Sequence, residues 1–261
     1  DSSTSRGLGD VYKRQSQDPV KSFDFLGITI QYEMCYTNIL QVLDLAGIPL
    51  LSKDRNDTDP IVIGGGPCTY NPEPICDFFD LFYIGEGETR YRELLDLYKE
   101  CKAKELGRKE FLKKAAGIPG MYVPSLYEVS YKNDGTIDKR IPLEEGIPQV
   151  IQKELVTDVS NTYYPEKPIV PFIKVTQDRV VLEIQRGCIR GCRFCQAGQL
   201  YRPVRERNVN MLKDYAVKML KNTGHEEISL SSLSSSDYSE LPELLLSLIH
   251  ISEPTRRRGI S

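Results

Sequence analysis

The sequence predicts an α/β protein: a doubly wound parallel sheet, then a hairpin connector, then a second run of strand, helix and strand. Three observations predict it. Short β-branched runs alternate with helix-spaced segments, the strands end in glycine turns, and the middle of the chain is spaced by prolines instead.

Residues 25–30, Phe-Leu-Gly-Ile-Thr-Ile, read as a strand, and 38–46 then place Ile39, Leu40, Leu43 and Ala46 at helical spacing before Gly47 stops the helix. Ile61, Val62 and Ile63 form a second strand that enters Gly64, Gly65 and Gly66. Residues 81–84 form a third that enters Gly-Glu-Gly-Glu at 85–88, and Tyr91, Leu94, Leu95 and Tyr98 share one face of the following helix. Strands alternating with helices imply right-handed crossovers and a parallel sheet, whose ligands sit at the carboxyl ends of the strands. Thr29, Gly64, Gly65 and Gly66 fall there and are candidate ligand-facing positions, although a glycine run alone is weak evidence for a cofactor. Glu86 and Glu88 read as helix N-terminal charges favoured by the dipole.

Residues 126–131 and 136–141 flank Asn133-Asp134-Gly135, the composition of a tight hairpin turn. Pro142, Pro148, Pro165, Pro168 and Pro171 then suit an extended connector over 143–174. Residues 178–185 form a strand that delivers the chain to Gly187 and a cysteine cluster. An amphipathic helix over 211–221 and a strand over 227–233 follow. Strands joined by such a helix become parallel neighbours, which puts Ser234, Ser235, Ser236 and Asp237 at the same carboxyl edge as the cysteines. There they are candidate acceptors for an ammonium group, or a simple helix cap at Ser236 or Asp237. The predicted organisation is a tail over 1–17, a first domain over 18–105, a hairpin and connector over 106–178, a second domain over 179–249 and a tail over 250–261. Both tails read as non-native or disordered, and the natural protein is expected to extend beyond both ends.

Lys and Arg number 34 against 37 Asp and Glu, a formal charge of -3, so no general affinity for nucleic acid or anionic membranes is expected. No apolar run approaches the roughly 20 residues of a membrane-spanning helix and no secretory segment opens the chain, which points to the cytoplasm. Seven cysteines do not suggest a disulfide framework. Cys35, Cys68, Cys76 and Cys101 are scattered and read as small hydrophobes. Cys188, Cys192 and Cys195 are crowded on one loop with Cx3Cx2C spacing.

A structural zinc site wants four protein ligands, and the chain's histidines are His225 and His250 alone. A [4Fe-4S] cluster on three cysteines leaves one iron open to an exogenous ligand, and Gly187 and Gly191 let the backbone fold around it. A zinc-stabilised binding module and a non-catalytic iron-sulfur electron carrier are the alternatives. Arg186, Arg190, Arg193, Arg202, Arg205 and Arg207 surround the loop and would offset the charge of thiolates and an anionic cofactor; a solvated face or nucleic-acid contacts would explain them too.

The cysteine spacing, with Phe194 just before the third cysteine, resembles the radical S-adenosylmethionine (SAM) superfamily. Residues 187–198, 201–207 and 228–238 together look like its B12-binding members, and the resemblance covers most of 20–248. It implies a flavodoxin-like cobalamin-binding domain, here in part, followed by a partial (β/α) radical SAM barrel. It further implies that Cys188, Cys192 and Cys195 hold a [4Fe-4S] cluster, that Phe194 packs beside SAM, and that SAM is split to a 5'-deoxyadenosyl radical. Cobalamin is the implied second cofactor, a flavodoxin or ferredoxin the implied electron donor, and methyl transfer the first reaction implied, with a cobalamin-assisted rearrangement second. Two departures stand out. No Asp-x-His-x-x-Gly motif for an axial cobalamin ligand occurs, and Ser234 to Asp237 replace the Gly-Gly-Glu turn that receives the SAM amino group in that family.

Overall fold

A computed structural model of the chain describes residues 17–173 and 175–256, with side chains described through residue 250. The chain divides into two compact units, Asp1–Leu155 and Val156–Ser261.

The first unit is a four-stranded sheet in the order β1 (Phe25–Thr29), β2 (Ile61–Gly65), β3 (Leu81–Tyr83), β4 (Met121–Tyr122). The first three strands are parallel, as the sequence predicts, and β4 closes the edge antiparallel to β3. Period-two alternation sends side chains to opposite faces. Ile61, Ile63, Leu81 and Tyr83 join a core with α2 (Tyr91–Ala103) and α3 (Arg108–Ala115), whereas Val62 and Phe82 join Ile39 and Leu43 of α1 (Tyr36–Leu45) on the other face. A sheet covered on both faces explains why β2 and β3 read as unbroken apolar runs.

Predicting the first domain to end at 105 leaves out α3 and β4, and the structure carries both into it. Phe111, Leu112, Ala115, Met121 and Val123 are buried in the core that contains Leu94 and Cys101. Their signals are short: three apolar positions among lysines, then a two-residue strand. The predicted hairpin forms from β5 (Tyr127–Tyr131) and β6 (Ile137–Pro142), with Gly135 at φ 81° donating to the Lys132 carbonyl at 2.9 Å. The following connector holds no helix or named strand among its described residues, yet it is not wholly extended into solvent: Glu154 bridges to Gly85.

In the second unit, β7 (Val180–Glu183) pairs in parallel with β10 (Ile228–Ser231), from Val180 opposite Ile228 to Glu183 opposite Ser231. Between them come β8 (Gln185–Arg186), α4 (Gln196–Leu200), β9 (Arg205–Glu206) and α5 (Val209–Thr223); α6 (Leu241–Arg256) follows β10. Val180, Leu182, Leu212, Ala216, Met219 and Leu244 form the core. Helix α5 is capped by the Asn208 side chain and ends at Gly224 in the left-handed region. The strand predicted over 178–185 is cut short, because Gln185 and Arg186 turn to pair antiparallel with β9. No closed barrel is present among the described residues. Helix α6 continues past the predicted boundary at 249, while 1–16, nearly all of the first predicted tail, and 257–261, the end of the second, lie outside the described residues.

Candidate metal centre

After β7 and β8 the chain reaches Gly187 at φ 85°, where a Cβ would come within 2.8 Å of the Tyr201 and Pro203 carbonyl oxygens. Only glycine fits this close approach, which turns the chain into the cysteine loop. Gly191 makes a second left-handed turn at φ 62°. Cys188 Sγ accepts from the Arg190 N–H at 3.4 Å, and Cys195 Sγ accepts from the Gly198 N–H at 3.4 Å, capping α4. All three thiols are free; Cys188 and Cys195 are half-buried and Cys192 is exposed. Phe194 is 92% exposed. Among the described residues no three His, Cys, Asp or Glu side chains gather as a metal site, so the sulfurs share one loop without converging. The donor set fits an iron-sulfur cluster chemically: soft thiolates, with main-chain N–H groups already aimed at two sulfurs.

Beyond β10 the chain brings the predicted serine and aspartate residues to the same loop. Arg190 Nε and Nη2 donate to the Asp237 carboxylate at 2.7 and 2.5 Å, and Ser234 Oγ donates to it at 2.7 Å. The Arg190 hydrogen bonds, with that of Ser234, hold the Asp237 carboxyl below its ordinary range. Gln185 Nε2 donates to the Ser234 carbonyl at 2.7 Å, and Ser232 and Ser235 share a hydrogen bond of 3.0 Å. Ser236 is exposed. The short turn Ser235–Asp237 is entered at Ser234 without a side-chain cap. Asp237 therefore serves an ion pair, which neither of the two roles predicted for it includes.

Of the six arginines predicted to offset cluster charge, five have protein partners, Arg190 taking Asp237. Arg186 and Arg207 both donate to Glu183, whose carboxyl stays low because these bonds outweigh burial. Arg207 is fully buried over the Tyr164 ring at 4.8 Å. Arg205 donates to the Val156 carbonyl at 2.8 Å and Arg202 to the Gly198 carbonyl at 3.0 Å. Arg193 is exposed. Sequence reasoning finds Arg190 and Asp237 separately and misses their pairing, because the signal is a register between two strands rather than a motif.

In the first unit Thr29 lies opposite Gly65 at the predicted carboxyl edge. The glycines there are required by packing. A Cβ on Gly64 would stand 2.5 Å from the Phe82 ring, and one on Gly66, at φ 95°, would stand 2.9 Å from the Ile30 carbonyl. Gly65 is less constrained, with the Tyr91 hydroxyl at 3.3 Å. Glu86 and Glu88 precede α2, whose first turn carries Glu93 instead. A cavity of about 350 Å³ lined by Tyr70, Ile84, Arg140, Ile151 and Lys153 lies where the chain leaves β2 and β3.

Residues 6–124 match the family of radical SAM proteins, N-terminal, and residues 182–260 match the radical SAM superfamily, which holds the cysteine loop. Both matches are to radical SAM proteins. The chain is 30% identical over 253 residues to the uncharacterized protein MJ0966 of Methanocaldococcus jannaschii, covering 95% of this chain and 47% of that protein. It thus spans about half the length of the curated relative it matches. Among solved structures it is similar to the radical SAM methyltransferase TsrM of Kitasatospora setae with cobalamin and a [4Fe-4S] cluster bound, at a TM-score of 0.45 and 14% identity, over 93% of this chain and 42% of that one. It is also similar to the cobalamin-dependent SAM radical enzyme OxsB, at 0.48 and 16%, over 87% and 28%. No described helix of the chain is long and apolar enough to cross a membrane.

Proposed function

We propose that the whole protein is a radical SAM enzyme in which Cys188, Cys192 and Cys195 hold a [4Fe-4S] cluster and that it works with cobalamin, methyl transfer being the reaction. The observation that carries this reading is the three-thiol loop at the carboxyl end of β7, with β10 delivering Ser234 and Asp237 beside it. When bound and reduced, the cluster supplies the electron that splits the SAM sulfonium into methionine and a 5'-deoxyadenosyl radical. The chain's own residues have simpler tasks. Gly187 and Gly191 shape the loop, the Arg190 and Gly198 N–H groups hold two sulfurs, and Phe194 offers an exposed ring for an adenine or another flat group.

For cobalamin, Gly64 and Gly66 are occupied from within the fold, so the open positions at that edge are Thr29 and Gly65 together with the cavity carrying Arg140 and Lys153. A small acidic redox protein of the flavodoxin or ferredoxin kind suits the arginine-rich loop as electron donor. Anaerobic reconstitution of the full-length protein, followed by assay for 5'-deoxyadenosine and methylated product with and without cobalamin, tests the reading. Stoichiometric zinc without iron would sink it. 5'-Deoxyadenosine without methyl transfer would favour the rearrangement.

A further inference from the structure

We infer that Arg190 is a positioning residue: it clamps the cysteine loop to Asp237, in the turn after β10, so that the thiols are held in place before any metal arrives. The inference rests on the proposed role of Cys188, Cys192 and Cys195 and names what orders them. Arg190 sits between the first two cysteines, and its main-chain N–H donates to Cys188 Sγ while its guanidinium takes both oxygens of Asp237. One residue thus fixes a sulfur through its backbone and the whole loop through its side chain. A two-pronged guanidinium–carboxylate bond sets orientation as well as distance. The anchor is itself held. Asp237 accepts from Ser234 Oγ, and the Ser234 carbonyl accepts from Gln185, a buried residue on β8. The Asp237 side chain is 12% exposed, so its end of the pair is shielded from solvent, whereas Arg190 at 58% is free to carry the loop.

The test is iodoacetamide labelling of the metal-free full-length protein, read at each cysteine by mass spectrometry. Half-buried Cys188 and Cys195 report on the loop, buried Cys68 and Cys101 report on unfolding of the first unit, and thermal melting of each variant reports on unfolding of the second. A clamp predicts that R190Q and D237N both speed labelling of Cys188 and Cys195, by roughly three- to fivefold for a partly exposed pair. The R190Q/D237N double variant should be no faster than either single one, because both remove the same bond. A purely electrostatic role predicts opposite signs, since losing a cation disfavours the reactive thiolate and losing an anion favours it. Opposite signs, additive effects or unchanged rates would overturn the clamp. If R190Q unfolds the second unit, R190K decides. It keeps the cation but not the fork, so labelling faster than wild type supports the clamp and wild-type labelling overturns it. Iron retention after reconstitution is measured in parallel. A wild-type protein that holds no iron would end the cluster reading and leave the labelling result standing.

Discussion

At the carboxyl ends of β1 and β2 the chain fills its own glycine turn, with Gly64 against Phe82 and Gly66 against Ile30. At the carboxyl end of β7 it leaves Cys192, Ile189 and Phe194 in solvent. The first edge satisfies its unusual residues internally, and the second does not. A glycine run is ambiguous because the same missing Cβ serves a ligand or a neighbouring ring. Three thiols crowded on one loop, one exposed and two half-buried, are less so, because a cysteine kept for packing belongs inside, as Cys68 and Cys101 are.

The largest expected effect breaks the comparison at the second edge. Alanine at Cys188, Cys192 or Cys195 should each abolish binding of about four iron and four sulfide per chain, whereas alanine at Cys35, Cys68, Cys76 or Cys101 should leave the iron content unchanged. Iron retained by any one of the three loop variants would mean that another ligand completes the site. Next in size is the charge that the first unit keeps inside. Asp80 accepts from Arg55 Nη1 at 2.9 Å, from Arg108 Nη2 at 2.6 Å and from the Val62 N–H at 2.7 Å. Its carboxylate and the Arg55 side chain are essentially inaccessible to solvent. Asp80→Asn leaves two guanidinium groups with a neutral partner and should cost about 3–5 kcal/mol in urea unfolding of the first unit.

Adjacent glycines sharpen the comparison further. Gly64→Val forces a side chain into the Phe82 ring and should destabilise the first unit by about 1–3 kcal/mol. Gly65→Val meets only the movable Tyr91 hydroxyl, so it should fold nearly as well and, if this edge takes cobalamin, lower cobalamin retention with the iron content intact. Equal stability losses at the two positions would show that both are packing glycines.

The parallel order of β1, β2 and β3, the hairpin and the β7–β10 neighbourhood are legible in the sequence because each rests on a local period or a short crossover. What is not legible depends on tertiary contact. The two residues of β4 carry no period, α3 is apolar at only three places, and the split after Glu183 is set by pairing with β9. At the site, the spacing of Cys188, Cys192 and Cys195 is visible in the sequence, but the engagement of Asp237 by Arg190 is not. It joins positions 47 residues apart whose meeting depends on the strand register.

The smallest effect separates the arginines that hold the fold from the one that holds the loop. Glu183, at the end of β7, accepts from Arg186 Nε at 3.0 Å and from the buried Arg207 Nη2 at 2.6 Å. Burial raises its carboxyl and the two guanidinium groups lower it, with a net downward shift. A carboxyl that titrates lower when folded contributes stability that is complete above its unfolded value of about 4.3 and drains away as the pH falls through the lower folded value. Glu183→Gln should therefore weaken the second unit at neutral pH by roughly 1–2 kcal/mol, since Arg207 keeps the Val159 carbonyl but loses its anion. The variant should also flatten the loss of stability as the pH falls below about 4.3. Thermal unfolding across that range, monitored on Glu183→Gln and on Arg190→Gln, makes the distinction. The Arg190 variant should melt close to wild type at neutral pH, because an exposed pair contributes about 0–1 kcal/mol, while the Glu183 variant should not. If Arg190→Gln is the more destabilised of the two, the loop contact belongs to the core of the second unit, and the contrast between a filled edge and an open one fails.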